Sequence, residues 1–404
     1  MTALAPFGVR SFRFQWPADL MTALAFEMET LILGWYVLVE TGSVLWLTAF
    51  GALMFHGTLI SPLIGVAGDR IGHRNLLCLM RGFYLLIALA FQGALDPLLV
   101  LALAGITGLV RPSDIAVRSA MVAANMPSGL LVGAMGIART TFDFARMGGA
   151  LTGAGVIASL GMGWAYAVIA GCYGLGLLLT LFVERRPGAK SDQARSASPW
   201  RDLAEGLTYV WRTPSVLAVM WLAFLMNMTT LPLTSGLLPF VAKGVYGTDQ
   251  TGLGYLSASC AFGALIGSVF MSLAGTRLRL ARAMIGSSIL WSIVLLAFAG
   301  TETIGRGMLV LVAVGFLQSV SMLTMAILLL RTSEVRLRGR VMGVRMLAIF
   351  SQTFGLMAAG VLIARFGFGW TAALYAGVAL GLTVLIALRW QGELLTRQAL
   401  ANGR

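Results

Sequence analysis

The residues of this chain best placed to do chemistry are two carboxylates, Glu27 and Glu29, set in an apolar run over 18–40 that holds no basic residue. Two positions on a helix put their side chains about 200° apart, so the two cannot point into one cavity. A carboxyl withdrawn from water favours its neutral form unless a cation or a hydrogen-bond donor meets it. A carboxyl that loads and releases a proton near neutrality is what a carrier coupled to a proton gradient needs. The competing reading is a quiet pair with His56 or Arg81.

Two further sets follow the same logic. Arg111, Asp114 and Arg118 lie at i, i+3 and i+7, and Arg139, Asp143 and Arg146 at i, i+4 and i+7, so each set occupies one helix face. A charge at the centre of a membrane helix costs about 2.5–3.5 kcal/mol on insertion scales unless it is paired or wet. If the two helices are antiparallel neighbours, an Arg–Asp network between them follows. It reads either as a fixed salt-bridge staple or as a relay that exchanges protons or substrate charge for salt bridges. Asp143 is the residue of the set expected to titrate.

A third constellation is Gly65-Val66-Ala67-Gly68-Asp69-Arg70-Ile71-Gly72-His73-Arg74. Gly65 and Gly68 allow close helix approach, and Gly72 allows a tight turn. Asp69 can cap or pair, while Arg70 and Arg74 can bind lipid phosphate or acidic partners. Such a loop is a conformational latch, or simply a topology anchor.

Other chemistries are disfavoured. Cys78, Cys172 and Cys260 are isolated, and His56 and His73 stand apart, so neither a disulfide framework nor a metal site is indicated. No Gly-rich loop ending in Lys-Ser/Thr occurs, so no nucleotide cofactor is expected. No nucleophile, base and orienter set appears either, so an enzyme is not expected. The second half is nearly free of acids at depth. Asn227, Gln318 and Gln352 are its main polar groups, and Met226, Met228, Met322 and Met325 could line an adaptable apolar pocket.

The elements that must position these residues follow from composition. Hydrophobic residues make up 58% of the 404 positions and charged residues 11%, against about 25% charged in soluble domains, so the chain cannot cover itself in water. Apolar runs of spanning length predict helices over 18–40, 44–68, 76–95, 97–121, 131–158 and 163–183. A second set follows over 215–243, 250–274, 281–299, 306–331, 341–364 and 368–390. The fold class expected is an all-α membrane protein of about twelve transmembrane helices in two six-helix pseudo-symmetric halves, 1–186 and 214–404, joined by a cytoplasmic loop over 187–213. The N-terminal stretch lacks the short apolar core of a removable signal peptide. The net charge of +13 collects in alternate breaks: 69–74, 184–214, 277–282 and 331–340. That asymmetry places both termini and the central loop in the cytoplasm and gives no footing for nucleic acid.

Local matches point to a duplication. Ala67-Gly68-Asp69-Arg70 is matched by Ala274-Gly275-Thr276-Arg277, and Ser128-Gly129-Leu130-Leu131-Val132-Gly133 by Arg338-Gly339-Arg340-Val341-Met342-Gly343. Two like-oriented repeats suit a central path between rocking halves.

With these residues in hand, the sequence resembles the major facilitator superfamily, and within it the branch of the enterobactin exporter and the macrolide-efflux proteins. The resemblance rests on the Gly65–Arg74 loop, Gly34-Trp35-Tyr36-Val37-Leu38-Val39-Glu40-Thr41-Gly42-Ser43, Leu238-Pro239-Phe240-Val241-Ala242 and Arg338-Gly339-Arg340-Val341-Met342. It implies alternating access, a loop at Asp69 that holds the outward-facing state together, and a monomer. It also implies that Arg118 corresponds to an arginine common at the cytoplasmic end of helix 4, which leans that residue toward the staple. Glu29 stands where that branch often has Gln, and Glu27 where it often has an aromatic. The chain departs from the branch at Gly148-Gly149, where Gly-Pro is usual, and at Thr276, opposite Asp69. It also lacks an Arg-x-x-Gln-Gly pattern in helix 4.

The expected function is therefore secondary active transport: proton-coupled export of a small amphipathic organic compound, drug-like or siderophore-like, across a bacterial inner membrane. Protons, the small-molecule substrate and membrane lipid are the expected partners. The alternatives are an importer of a small metabolite, or a membrane assembly protein that kept the fold and lost transport.

Overall fold

The computed structural model describes residues 5–91, 96–184, 199–274 and 278–393. Among them are helices and turns and no strand, as hydrocarbon requires of a chain whose backbone groups must pair within one segment. The helices are α1 (Arg10–Thr41), α2 (Val44–Leu53), α3 (Ser61–Ile71), α4 (His73–Ala90), α5 (Pro97–Asn125), α6 (Ser128–Leu181) and α7 (Pro199–Arg212). They continue with α8 (Pro214–Ser235), α9 (Leu238–Phe240), α10 (Gln250–Ala274), α11 (Leu280–Ala299), α12 (Ile304–Thr332) and α13 (Arg338–Arg389).

Eight segments in the described residues are long and apolar enough to cross a bilayer, and two of them, at 53 and 52 residues, are long enough to cross twice. They do so by folding at one glycine each. Gly161 in α6 has φ 80° and ψ −179°, and Gly367 in α13 has φ 81° and ψ 170°. Only glycine enters that region without strain, and both stand in the same Gly-x-Gly-Trp sequence, Gly161 to Trp164 and Gly367 to Trp370. Trp164 and Trp370 are 65% and 78% exposed, the placement of tryptophans at a membrane–water interface.

Three expected elements differ. The helix expected over 44–68 is broken into α2, a 3₁₀ turn at His56–Leu59 and α3. His56 Nδ1 lies 2.5 Å from the Leu53 carbonyl, the Thr58 hydroxyl donates to Phe55 O at 2.6 Å, and a proline opens α3. Gly57 is pressed so close to α5 that a Cβ would lie 2.2 Å from Gly108 O. The helix expected over 215–243 ends at Ser235 and resumes as α9 and a π turn at Val241–Val245. Residues 199–212, expected within a connecting loop, form α7, which docks by one face. Gly206 and Val210 are buried, Glu205 pairs with Arg340 at 2.7 Å, and the Glu334 N–H donates to the Tyr209 hydroxyl at 3.2 Å. The rest of the 187–213 segment, and Gly275, Thr276 and Arg277, lie outside the described residues.

The helices gather into two compact bodies. The first comprises Met1–Gly42, Leu53–Arg195 and Asp249–Ala258; the second comprises Ser43–Ala52, Ser196–Thr248 and Ser259–Arg404. Within the first, α1 packs along α6 and α4 on α6; within the second, α8 packs along α13 and α11 on α13. Glycines make these approaches possible, and they recur in both bodies. A Cβ on Gly108 would lie 1.9 Å from Leu53 O and one on Gly315 1.9 Å from Cys260 O. The same holds for Gly149 beside Leu24 O (2.9 Å) and Gly355 beside Met228 O (2.0 Å). Backbones that close leave no room for any side chain.

Candidate substrate and coupling site

The ionisable side chains of the first body are joined through the gap between its helices. On α5, Arg118 Nε meets Asp114 Oδ2 at 2.5 Å, one turn apart. The Arg118 guanidinium also donates to the Asp19 backbone carbonyl on α1 at 3.4 Å. Gln15, one turn before Asp19, donates to the Arg118 carbonyl at 3.1 Å and to Asp19 Oδ2 at 3.4 Å. The Asp19 carboxylate pairs with Arg81 of α4. Arg81, fully buried, also donates to the Thr180 hydroxyl and to Gly176 O at the far end of α6. One ladder thus ties α1, α4, α5 and α6 together with alternating charge.

Glu29 belongs to the same interior. It is 2% exposed and accepts a 2.8 Å hydrogen bond from the Tyr173 hydroxyl. Arg111 of α5 lies within electrostatic reach of it. That guanidinium lies 4.3 Å over the Phe26 ring and donates to Phe26 O at 2.5 Å and to Met54 Sδ at 3.2 Å. Glu27 points the other way, as the spacing requires. It is half-buried against α6, where a Cβ on Gly149 would fall 2.7 Å from its own Cβ. Neither acid pairs with His56, which is turned onto Leu53 O, or with Arg81, which Asp19 holds.

On the first arm of α6, Asp143 is fully buried and pairs with Arg139 at 3.2 Å, while Arg146 is half-buried. The two ion pairs Asp114–Arg118 and Arg139–Asp143 therefore each run along one helix. The network was expected between α5 and α6; Arg118 of α5 is tied instead to α1, and through Asp19 to α4, by residues whose pairing the spacing did not show.

The ladder reaches a cavity. A cavity of about 210 Å³ between α1, α5 and α6 is lined by Phe12, Trp16, Asp19, Arg118, Arg139 and Phe142, among others. The Trp16 indole N–H donates to the Thr141 hydroxyl at 2.7 Å, fixing one wall. Two guanidiniums, one carboxylate and three aromatic rings suit an organic molecule with an apolar body and a charged group.

In the signature loop, Gly72 has φ 87°, as its turn demands, and Gly68 packs against Leu76. Arg74 donates to the carbonyls of Thr180 (3.3 Å) and Leu181 (2.5 Å), so it caps the C-terminus of α6, where a cation is favoured. Arg70 is exposed. Gly65 and Asp69 fall within α3, and their side-chain surroundings lie outside the described residues.

Sequence reasoning missed Asp19 and Tyr173, and it considered Arg81 only as a possible partner for Glu27 or Glu29. Arg81 carried a usable signal, since it is a charge inside an apolar run with the same insertion cost as Arg111.

A bundle of long apolar helices folded as two bodies, with charge buried inside one of them, defines a multi-pass membrane protein of the transporter type. The model of the Major Facilitator Superfamily matches residues 3–348, and the chain belongs to that family. Solved structures share the fold at low identity. A POT family transporter in complex with a thioalcohol-conjugated peptide has a TM-score of 0.78 at 13% identity, covering 95% of this chain and 96% of its own. The nucleoside transporter NupG has a TM-score of 0.74 at 12% identity, covering 94% and 98%. The human organic anion transporter MFSD10 (TETRAN) has a TM-score of 0.69 at 17% identity, covering 93% and 99%. Among curated protein sequences, no relative matches.

Proposed function

We propose that the chain is a proton-coupled secondary transporter that exports a small amphipathic organic compound by alternating access. It would act as a monomer in a bacterial inner membrane, with both termini cytoplasmic and with halves 1–186 and 214–404 as the moving parts. The resemblance of its motifs to the enterobactin-exporter and macrolide-efflux branch supports that reading. The observation that carries the reading is a ladder of buried charge that reaches an aromatic-lined cavity through Asp19 and Arg118.

Asp19, Glu29 and Asp114 face Arg81, Arg111 and Arg118, so the interior is neutral when all are ionised and carries a net positive charge when one carboxyl holds a proton. An uncompensated charge in a low-dielectric interior is costly. Protonation therefore favours a rearrangement that brings water or a substrate anion to the freed guanidinium. Glu29, and Asp143 beside Arg139, are the acids best placed to load, and Glu27 is placed to meet a cationic group. Asp69, Arg70, Arg74 and the glycines Gly65, Gly68 and Gly72 would form the latch. The structural neighbours include carriers whose names specify organic anions, nucleosides and peptides, which agrees with a small organic cargo.

The test is flux in proteoliposomes under an imposed pH gradient, with lipophilic cations, macrolides and catecholate siderophores as the panel. The expected result is gradient-dependent movement of at least one compound, lost in Glu29→Gln and in Asp19→Asn. Flux that ignores the gradient, or survives both substitutions undiminished, overturns the reading.

A further inference from the structure

Most polar groups on the wall of the first body's cavity are already engaged. The Trp16 indole N–H goes to the Thr141 hydroxyl, whose own hydrogen goes to Ile137 O at 2.8 Å. The Ser119 hydroxyl donates to Ile115 O at 2.8 Å. The Asp19 carboxylate is met at Oδ1 by Arg81 and at Oδ2 by Gln15. What remains is guanidinium hydrogen, and an arginine is all donor and no acceptor. Arg118 gives Nη1 to the Asp19 carbonyl and sets Nε against Asp114, while its buried Nη2 has no hydrogen-bond partner among the described residues. A buried donor left so is rare in a folded protein. Arg139 meets Asp143 through Nη2, and its side chain stays 45% exposed. Asp114 and Asp143, the acids of these two arginines, are fully buried and do not line the cavity. Among the described residues the wall therefore presents two guanidiniums and one carboxylate, and Arg81 already holds that carboxylate. The apolar part of the wall suits a flat ring. Phe12 and Trp16 are held edge-on to Phe7, at centroid distances of 5.2 and 5.4 Å, and the Arg139 guanidinium lies 6.0 Å over Phe142. A volume of about 210 Å³ falls below the roughly 300–1,000 Å³ of sites for drug-sized ligands, which fits a compact molecule.

We propose that this cavity binds a compact aromatic organic anion, its carboxylate or sulfonate between Arg118 and Arg139 and its ring among Phe12, Trp16 and Phe142. Charged acceptor oxygens would meet the unmatched Nη2 of Arg118 and form charge-assisted hydrogen bonds with both guanidiniums. A cation would find the wall's carboxylate already held by Arg81. A neutral amide would bring N–H donors of its own to a wall that lacks acceptors. The lining residues stand near the start of α1, the end of α5 and the start of α6. In the orientation proposed above these ends face the cytoplasm, where an exporter loads.

This inference rests on the reading of the cavity as the cargo site, and its test uses neither flux nor gradient. Radiolabelled salicylate and its neutral isostere salicylamide are titrated by equilibrium dialysis against the full-length protein in phosphatidylcholine nanodiscs, with empty nanodiscs giving the partition of each into lipid. The expected result is saturable binding of salicylate, about tenfold tighter than that of the amide. Arg139→Gln should weaken salicylate about tenfold and leave the amide unchanged. Arg139→Lys should restore most of the difference, and Trp16→Ala should weaken both ligands alike. Arg118→Gln is read in the same way as Arg139→Gln, which decides alone should the Arg118 variant not fold. Phosphatidylglycerol added to the nanodisc separates cargo from lipid. Salicylate binding should hold, and its displacement would reassign the cavity to a lipid headgroup. No saturable binding, equal affinity for acid and amide, or a preference that survives Arg139→Gln in full overturns the anion site and leaves proton coupling to the flux assay.

Discussion

At the scale of single residues, charge at depth is legible in the sequence because its cost is, whereas its partners are not. Arg111, Asp114, Asp143 and Glu29 stand out against apolar neighbours, and all prove buried or half-buried. The helical period shows who shares a face, and it gives Asp114–Arg118 and Arg139–Asp143 directly. It is silent on Asp19–Arg81 and Glu29–Tyr173, which join residues far apart in the chain through tertiary packing. The first of these makes a stability prediction. Arg81→Ala leaves the Asp19 carboxylate facing a buried void, a loss of about 3 kcal/mol, to be read as a lowered unfolding midpoint in detergent. Adding Asp19→Asn should recover much of that loss, because the orphaned charge is then removed.

Elements were legible wherever an apolar run was uninterrupted, and misread where packing overrides it. In 44–68 the local signal for a break is Pro62, which opens α3, and packing fixes where the chain turns. Gly57 fits only because the Gly108 and Leu109 carbonyls lie against it. The α7 helix went unseen because its segment is polar in composition, while its docking depends on a face that Gly206 and Val210 provide. The interhelix bends at Gly161 and Gly367 were foreseen as boundaries, though not as single-residue turns. There the prediction is a backbone effect without a steric one. A Cβ at either position meets nothing within 4 Å, so Gly161→Ala and Gly367→Ala should each cost about 1–3 kcal/mol purely through φ and ψ. Equal shifts in thermal midpoint for the two are the expected outcome. A tolerated alanine at either position would mean that the turn relaxes.

For the whole molecule, the fold class was legible from the scarcity of charge and the family from a handful of motifs. The repetition of glycine-to-carbonyl contacts in the two bodies was not, since 49 glycines scattered through apolar runs do not reveal which ones touch a neighbouring backbone. The distribution of Arg and Lys makes a topological prediction. With Cys78, Cys172 and Cys260 replaced by serine, cysteines at Gly163 and Gly369, both exposed beside the glycine turns, should react with a membrane-impermeant maleimide in intact cells. Cysteines at Glu184 and Glu334 should react only after permeabilisation. Labelling of all four from outside would refute the orientation.

The glycine turns have a mechanical corollary. With only one residue to fold at, the two arms of α6 cannot slide past each other at that end, and neither can those of α13. Each pair is a pair of tweezers hinged at its tip, the shorter arm about 30 Å long at 1.5 Å per residue. Opening such tweezers by about 5° at the glycine displaces the far ends by roughly 2–3 Å over that length. In the first pair, one far end begins at Ser128 and the other carries the carbonyls of Thr180 and Leu181 that Arg74 grips. A small torsion at the glycine would thus be magnified at the helix end that Arg74 holds.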